Sequence, residues 1–302
     1  MNVPSRIPQL WQLRGGAVEL GTRTLVMGVV NVTPDSFSDG GIFVRTEDAV
    51  AHALAMFEEG ADLVDLGGES TRPGSRAGGE APLISAGEEQ ARILPVLEGI
   101  LKRAPQALVS VDTYKSATAR AAIAAGAAII NDISGLTWDA EMAAVCAEAK
   151  AGVILMHTRG RPDEWRTQQQ LAPAAVLAMV RDGLAASLSL AQHAGIRSES
   201  IVLDPGYGFG KRFGENFSLL KRQADLLSLG RPLLAGISRK SFLGHTLASL
   251  HGGSPAPVDA RENASLAAMV AAILHGASLV RVHAVRPAVE AARIADALLA
   301  AG

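Results

Sequence analysis

Eight short apolar runs, each followed by a longer stretch rich in Ala, Leu, Glu and Arg, limit what this chain can fold into. The runs occupy residues 25–31, 63–66, 108–112, 128–132, 153–157, 201–204, 233–236 and 279–283. They are heavy in Val, Ile and Leu, as strands covered on both faces are. The stretches that follow them cover residues 47–60, 86–103, 115–126, 139–150, 173–195, 216–230, 260–276 and 286–301, and several close on Gly, as helix C-termini do. Eight strand-then-helix units with no hairpin among them predict a closed parallel (β/α)8 barrel over residues 25–300, an α/β TIM barrel. An open doubly wound sheet is the competing arrangement for the same alternation. Ahead of the barrel, residues 1–24 contain "WQLRGGAVELGTRTL", which reads as a short N-terminal β-hairpin closing the barrel's bottom. No linker divides the chain, so residues 1–302 are expected to form a single domain.

Composition narrows the partners. Hydrophobic residues make up 48% of the chain and aromatic ones only 4%, so aliphatic side chains must carry the packing of helix on sheet. A net charge of −2 provides no basic field to steer a polyanion, which argues against nucleic acid and for a small-molecule substrate. The lone Cys146 lies in the helical "AEMAAVCAEAK" and rules out a disulfide framework. The N-terminus lacks an apolar signal core, and "AIAAGAAII" is far short of the ~20 residues of a membrane span. A cytoplasmic protein with no membrane partner is expected.

Nearly every apolar run ends on or beside a polar residue: Asn31, then Glu69 with Thr71 and Arg72, Asp112, Asn131 with Asp132, His157, Asp204, Ser238 with Arg239 and Lys240, and Arg281 with His283. Any one of these suits a helix cap. In a barrel, however, the eight ends converge on the face where such folds place their chemistry. Asp112, Asn131 and Asp204 supply acceptors and one amide, a set suited to the donor edge of a flat nitrogen heterocycle. Arg72, Arg239, Lys240, Arg281 and His283 supply cationic donors for phosphate or carboxylate oxygens, with solvated rim charge the alternative for Arg239 and Arg281. The segment "LDPGYGFGKRFGEN" lacks the GxxxxGK[ST] spacing of a nucleotide loop. Its Gly206, Gly208 and Gly210 are instead expected to let a flat ligand approach the backbone. The first run passes straight into "NVTPDSFSDGG", an oxygen-rich stretch with the composition of a loop.

The segments "MGVVNVTPDSFSDGG", "ADLVDLGGESTRPG", "VDTYKSATARAAIAAGAAIINDISG", "MHTRGRP", "LDPGYGFGK", "ISRKSFLG" and "RVHAV" resemble, in order and spacing, the signature segments of the dihydropteroate synthases, a family of pterin-binding enzymes. The resemblance runs over residues 25–295. It implies a (β/α)8 barrel, a homodimer, and a reaction that joins 6-hydroxymethyl-7,8-dihydropterin diphosphate to p-aminobenzoate, a step of folate synthesis that sulfonamides block. Carried over position by position, it assigns the pterin pocket to Asp112, Asn131, Asp204 and Lys240, with Met156 and Phe209 on the ring faces. Asn31 is associated with Mg2+ and diphosphate; Arg72, Arg281 and His283 form the anion site; Phe37, Thr71, Pro73 and Ser241 line the p-aminobenzoate pocket. The bond that breaks joins a methylene to diphosphate, so charge separates in the transition state and positioned electrostatics must carry catalysis. Asp35, Asn31, Lys240, Arg281 and His283 are the catalytic candidates, with Asp35 facing the developing cation from a loop expected to close over the diphosphate. The family commonly has Asp where this chain has Ala284, which predicts looser support of His283. Two other readings share the barrel. A methyltetrahydrofolate-type methyltransferase is opposed by Arg72, Lys240 and the intact "NVTPDSFSDGG". A catalytically silent pterin-binding paralogue is opposed by the presence of the loop Asp and the anion residues.

Overall fold

A strand buried on both faces needs a hydrogen-bonded neighbour at each edge, and a ring of strands supplies one to every member. The computed structural model describes residues 6–33, 42–69 and 84–301. In it β3 (Leu25–Asn31), β4 (Leu63–Gly67), β5 (Val109–Asp112), β6 (Ile129–Asp132), β7 (Gly152–Met156), β8 (Ile201–Asp204), β9 (Leu233–Ala235) and β10 (Ala277–Val282) close into a barrel in chain order. Every pairing in the ring is parallel, and β10 returns to β3 with Leu279 opposite Leu25 and Val282 opposite Gly28. The closed ring decides against the open sheet.

Helices follow the strands and cover the ring: α1 (Ile42–Glu58), α2 (Ala86–Arg103), α3 (Ser116–Ala124), α4 (Met142–Ala149), α5 (Pro173–His193), α6 (Phe213–Lys221), α7 (Ser241–Thr246), α8 (Glu262–Leu274) and α9 (Val285–Ala300). The bounds of α2 coincide with those expected because its ends are chemically marked. Ser85 and Glu88 form a reciprocal capping box, and Lys102 and Arg103 complement the dipole in the last turn. The helix expected over 216–230 is instead α6 followed by a 3-10 segment, Gln223–Leu229. At the break the buried Gln223 accepts from the Tyr207 hydroxyl and donates to the carbonyls of Ala272 and His275, satisfying acceptors at the end of α8. The helix α5 is long and apolar enough to cross a membrane by length and composition, which a search for unbroken small-apolar runs misses. Here Val176, Val180, Leu184 and Ala191 are buried from it beside the other barrel helices.

Ahead of the barrel, β1 (Gln9–Leu13) and β2 (Gly16–Leu20) form the expected antiparallel hairpin. It stoppers the end of the barrel where the strands begin. Trp11, Leu13 and Leu20 pack with Leu25, Met27, Leu63, Ile129, Ile154, Val202, Leu234 and Leu279, which point inward from the strands. The Trp11 indole donates to the Ser200 carbonyl at 2.9 Å, and a Cβ on Gly152 would collide with Leu13. The barrel is therefore sealed and apolar at this end.

Trp11 is 1% exposed, so Trp11→Ala should cost about 3–5 kcal/mol of stability. Urea unfolding measures the loss. The site at the opposite end should bind its ligands normally in the folded variant.

Candidate functional site

Side chains alternate between the inside and outside of a barrel strand, so the inward phase can be followed upward from the apolar floor. From Leu25 and Met27 it reaches Asn31; from Leu63, Asp65 and Gly67; from Ile129, Asn131; from Ile154, Met156; from Val202, Asp204; from Leu234, Gly236; and from Leu279, Arg281 and His283. Asp112 of β5 joins this tier through Arg281. Two strand-end residues fall in the other phase. Asp132 accepts from the backbone N–H groups of Ser134 (2.7 Å) and Leu136 (2.9 Å) and organises its own loop; burial pushes its carboxyl up to about 6. The His157 ring lies against Gly183 of α5. Burial holds its pKa well below the usual imidazole value, assisted by Lys211.

The centre of the tier is Arg281. Its Nε donates to Asp65 Oδ2 at 2.6 Å and its Nη2 to Asp112 Oδ2 at 2.9 Å. The same Asp65 oxygen accepts from Asn131 Nδ2 at 3.0 Å. A carboxylate can only accept here, so the amide turns its nitrogen to Asp65 and keeps its carbonyl oxygen as an acceptor. Asp65 is fully buried and was not among the expected site residues. It sits inside an apolar run rather than at its end, and the signal for it is its place two residues after the inward Leu63.

Charge is concentrated in this tier. Burial raises Asp112 to about 7, with Asp65 and Glu89 adding to the shift and Arg281 and Lys240 opposing it. Burial also raises Asp204, against the Gly206 N–H at 2.7 Å and the charges of Lys240, Lys211 and Arg281. Burial disfavours the Arg281 charge, but Asp65, Asp112 and Asp204 outweigh it and raise its pKa. Lys240 places Nζ 3.9 Å from the centre of the Phe209 ring. Phe209 packs with Met156, Tyr114, Ile133 and Trp138, forming an apolar wall beside the acceptors. Two inward positions carry no side chain. A Cβ on Gly67 would stand 3.9 Å from Asn31 Oδ1 and 3.8 Å from Asp112 Cβ, and one on Gly236 would stand 3.6 Å from Asp204 Oδ2. Space is thereby kept between the polar groups.

The glycine segment works differently from expectation. Gly206, Gly208 and Gly210 all have positive φ (69°, 84° and 70°), but what they let approach is the chain itself. A Cβ on Gly206 would collide with the His157 carbonyl, and one on Gly210 would lie 2.5 Å from the Arg159 carbonyl. Lys211, also unforeseen, gathers this packing: its Nζ donates to the carbonyls of Gly206 (2.7 Å), His157 (3.1 Å) and Phe209 (3.3 Å). Burial lowers its pKa to about 7, against the pull of Asp204. A lysine closing a run of positive-φ glycines was the available signal.

His283 Nδ1 lies 3.0 Å from Ser238 Oγ, so the imidazole is held despite Ala284; the looser support expected there is met by a different residue. Arg239 follows the rim alternative. Its Nε pairs with Glu262 at 3.1 Å and its carbonyl accepts from Arg261. Glu69 accepts from the Tyr114 hydroxyl (2.9 Å) and Lys115 Nζ (2.6 Å), tying the top of β4 to that of β5. Ser241 is the exposed first residue of α7, next to Lys240. Asp35, Phe37, Thr71, Arg72 and Pro73 lie outside the described residues. Among the described residues no three His, Cys, Asp or Glu side chains converge as a metal cage.

Residues 27–283 match the sequence pattern of the family described as pterin binding enzyme. The chain is 42% identical over 279 residues to a protein of Synechocystis named dihydropteroate synthase, covering 92% of this chain and 91% of that one. It superposes on the Xanthomonas albilineans dihydropteroate synthase solved with 4-aminobenzoic acid with a TM-score of 0.84 and 38% identity, over 97% and 99% of the two chains. The Yersinia pestis dihydropteroate synthase solved with a sulfonamide drug gives a TM-score of 0.85 at 36% identity, over 97% and 100%.

The raised Asp112 carboxyl predicts a pH signature. Between about 4 and about 7 the folded state holds a proton at Asp112 that the unfolded chain has released, so this group's contribution to stability falls as pH rises through that window. Urea unfolding of wild type and Asp112→Asn from pH 4.5 to 7.5 should give a wild-type stability that declines relative to the variant.

Proposed function

The chain belongs to the pterin-binding enzyme family, and we propose that it acts as a dihydropteroate synthase, condensing 6-hydroxymethyl-7,8-dihydropterin diphosphate with p-aminobenzoate to 7,8-dihydropteroate and diphosphate. The observation that carries this reading is the convergence of Asp112, Asn131 and Asp204 around one guanidinium, in a tier kept open by Gly67 and Gly236. Asp204 takes the paired N–H groups of the pterin edge, with Asp112 and the Asn131 carbonyl oxygen accepting from the rest of the ring. Lys240 reaches the ring carbonyl. Met156 and Phe209, which share one apolar cluster, cover the ring faces.

Binding the ring in this way fixes the methylene carbon towards Asn31, Arg281 and His283, which take the diphosphate, together with Arg72. As the carbon–oxygen bond lengthens, negative charge accumulates on the diphosphate and positive charge on the pterin. The cationic side chains stabilise the former and Asp35 the latter. The p-aminobenzoate amine then attacks the methylene carbon, from a pocket formed by Phe37, Thr71, Pro73 and Ser241. A lone amide oxygen such as Asn31 Oδ1 suits Mg2+, a hard ion that keeps much of its water and is carried on substrate phosphates. When bound it would neutralise the leaving diphosphate. Sulfonamides, as p-aminobenzoate analogues, should compete for the second pocket.

A homodimer in the cytoplasm completes the reading. Phe213 and Phe217 of α6 are 46% and 40% exposed, and Leu250 and Val258 are exposed on the neighbouring segments after α7 and before α8. That apolar side of the barrel suits a second copy of the chain. Sedimentation should find a dimer, and Phe217→Glu should shift it towards monomer.

The reaction is tested by incubating the chain with the pterin diphosphate and Mg2+, with and without p-aminobenzoate. Dihydropteroate and diphosphate should appear in equal amounts only with both substrates. Pterin binding without turnover would indicate a silent paralogue, and methyl transfer from methyltetrahydrofolate the methyltransferase. Asp204→Asn should fold normally and lose about 10- to 100-fold in pterin affinity by calorimetry, from the ~1.5–3 kcal/mol of a charged hydrogen bond and the donor set against donor.

A further inference from the structure

Asp65 is the one carboxylate of the inner tier that no ligand can touch: it is 0% exposed. Yet one of its oxygens, Oδ2, holds two groups that face the ligand, Arg281 at 2.6 Å and Asn131 at 3.0 Å. In the ring order β10-β3-β4-β5-β6 the first bond passes over β3 and the second over β5, so a single atom on β4 ties three strands together across an arc of five. Its other oxygen, Oδ1, is buried with no hydrogen-bond partner among the described residues. We propose that Asp65 is a positioning residue that fixes the Arg281 guanidinium and the Asn131 amide to one reference point, making recognition of the substrate's ring and of its diphosphate arm interdependent. The proposal rests on the reading above, in which Asn131 serves the ring and Arg281 the diphosphate.

The coupling follows from geometry. A guanidinium held by Asp65 through Nε and by Asp112 through Nη2 has little freedom to turn. A diphosphate that draws Arg281 towards itself pulls on the same oxygen that orients the Asn131 amide. A pterin that fixes Asn131 and Asp112 in turn fixes both anchors of Arg281. Ordering one half therefore removes part of the cost of ordering the other, and the effect must be reciprocal. Asn at position 65 retains the shape and can keep an oxygen towards both donors while its NH2 takes the place of the unpartnered Oδ1. Ala removes the anchor altogether.

The test is calorimetry with two probes, 6-hydroxymethylpterin without diphosphate, and inorganic diphosphate with Mg2+, on wild type, Asp65→Ala, Asp65→Asn, Arg281→Ala and the double variant Asp65→Ala/Arg281→Ala. In wild type, saturating diphosphate should tighten pterin binding several-fold. Asp65→Ala should weaken both probes about tenfold and bring that enhancement close to one, and Asp65→Asn should restore most of it. In the Arg281→Ala background, removal of Asp65 should cost diphosphate binding less than a further twofold. Additive losses in the two backgrounds, or an Asp65→Ala protein with lowered melting temperature but an unchanged enhancement, would overturn the proposal. If Asp65→Ala does not fold, Asp65→Ser takes its place, its hydroxyl being too short to hold both donors: an enhancement close to one in Asp65→Ser, with most of it kept in Asp65→Asn, supports the proposal, and a wild-type enhancement in Asp65→Ser overturns it. Wild-type turnover of the pterin diphosphate is measured alongside, so that failure of the coupling is distinguished from failure of the reaction assignment.

Discussion

A closed parallel barrel gives each strand one inward position for every two residues, and everything else in this molecule is arranged around how those positions are filled. The lower ones are aliphatic and meet the N-terminal hairpin, whose Trp11 and Leu13 complete the seal. The upper ones are mostly polar, Asn31, Asp65, Asp112, Asn131, Asp204 and Arg281, with Met156 and the side-chain-free Gly67 and Gly236 among them. Beneath them lies the packed aliphatic layer, so the upper groups satisfy one another or a ligand. A dry floor beneath a charged tier also lowers the local dielectric, which strengthens every pairing above it and penalises every charge left alone.

The balance of those charges explains why the tier is poised to take a ligand that offers donors on one side and negative charge on the other. Asp65, Asp112 and Asp204 are opposed by Arg281, Lys240 and Lys211, and burial works against both signs. Arg281 is committed to two carboxylates, which keeps a cation deep in the site without a ligand present. Asp112 commits its Oδ2 to Arg281, and Asp204 spends one oxygen on the Gly206 N–H. Donors on a flat ring would relieve carboxylates that burial pushes towards protonation. The cations are then free of part of their internal pairing to meet an anion.

Much of this was legible in the sequence because the strands are short, apolar and sharply bounded, and because residues at strand ends announce themselves by polarity. The closed ring, the hairpin and the placing of Asp112, Asn131, Asp204 and Arg281 follow from that pattern. What escaped it obeys the same alternation at finer grain. Asp65 is hidden mid-strand but in the inward phase, whereas Asp132 and His157 stand at strand ends in the outward phase and serve the loop and α5. The break between α6 and the 3-10 segment depends on Gln223 reaching the carbonyls at the end of α8, a contact between residues about fifty positions apart that no local period encodes. The support of His283 by Ser238 is likewise an encounter of two strand ends, β9 and β10, invisible until the ring closes.

The segment after β8 shows how sequence chemistry that suggests ligand contact can serve rigidity instead. Positive φ at Gly206, Gly208 and Gly210 turns the chain back on itself until the carbonyls of His157, Gly206 and Phe209 converge. Three converging carbonyl dipoles repel one another, and a single ammonium at their focus removes the repulsion, which is the position Lys211 fills. The arrangement needs both features. Without the glycines the carbonyls would not meet, and without the cation their meeting would be unfavourable. Asp204 lies immediately before this knot and Phe209 within it, so the acceptor and the aromatic wall are set at a fixed separation. Lys240 rests its ammonium on the wall so fixed. A ring bound between these groups is read by a frame whose stiffness comes from hydrogen bonds the ring never touches, as Asp65 supplies on the opposite side of the barrel.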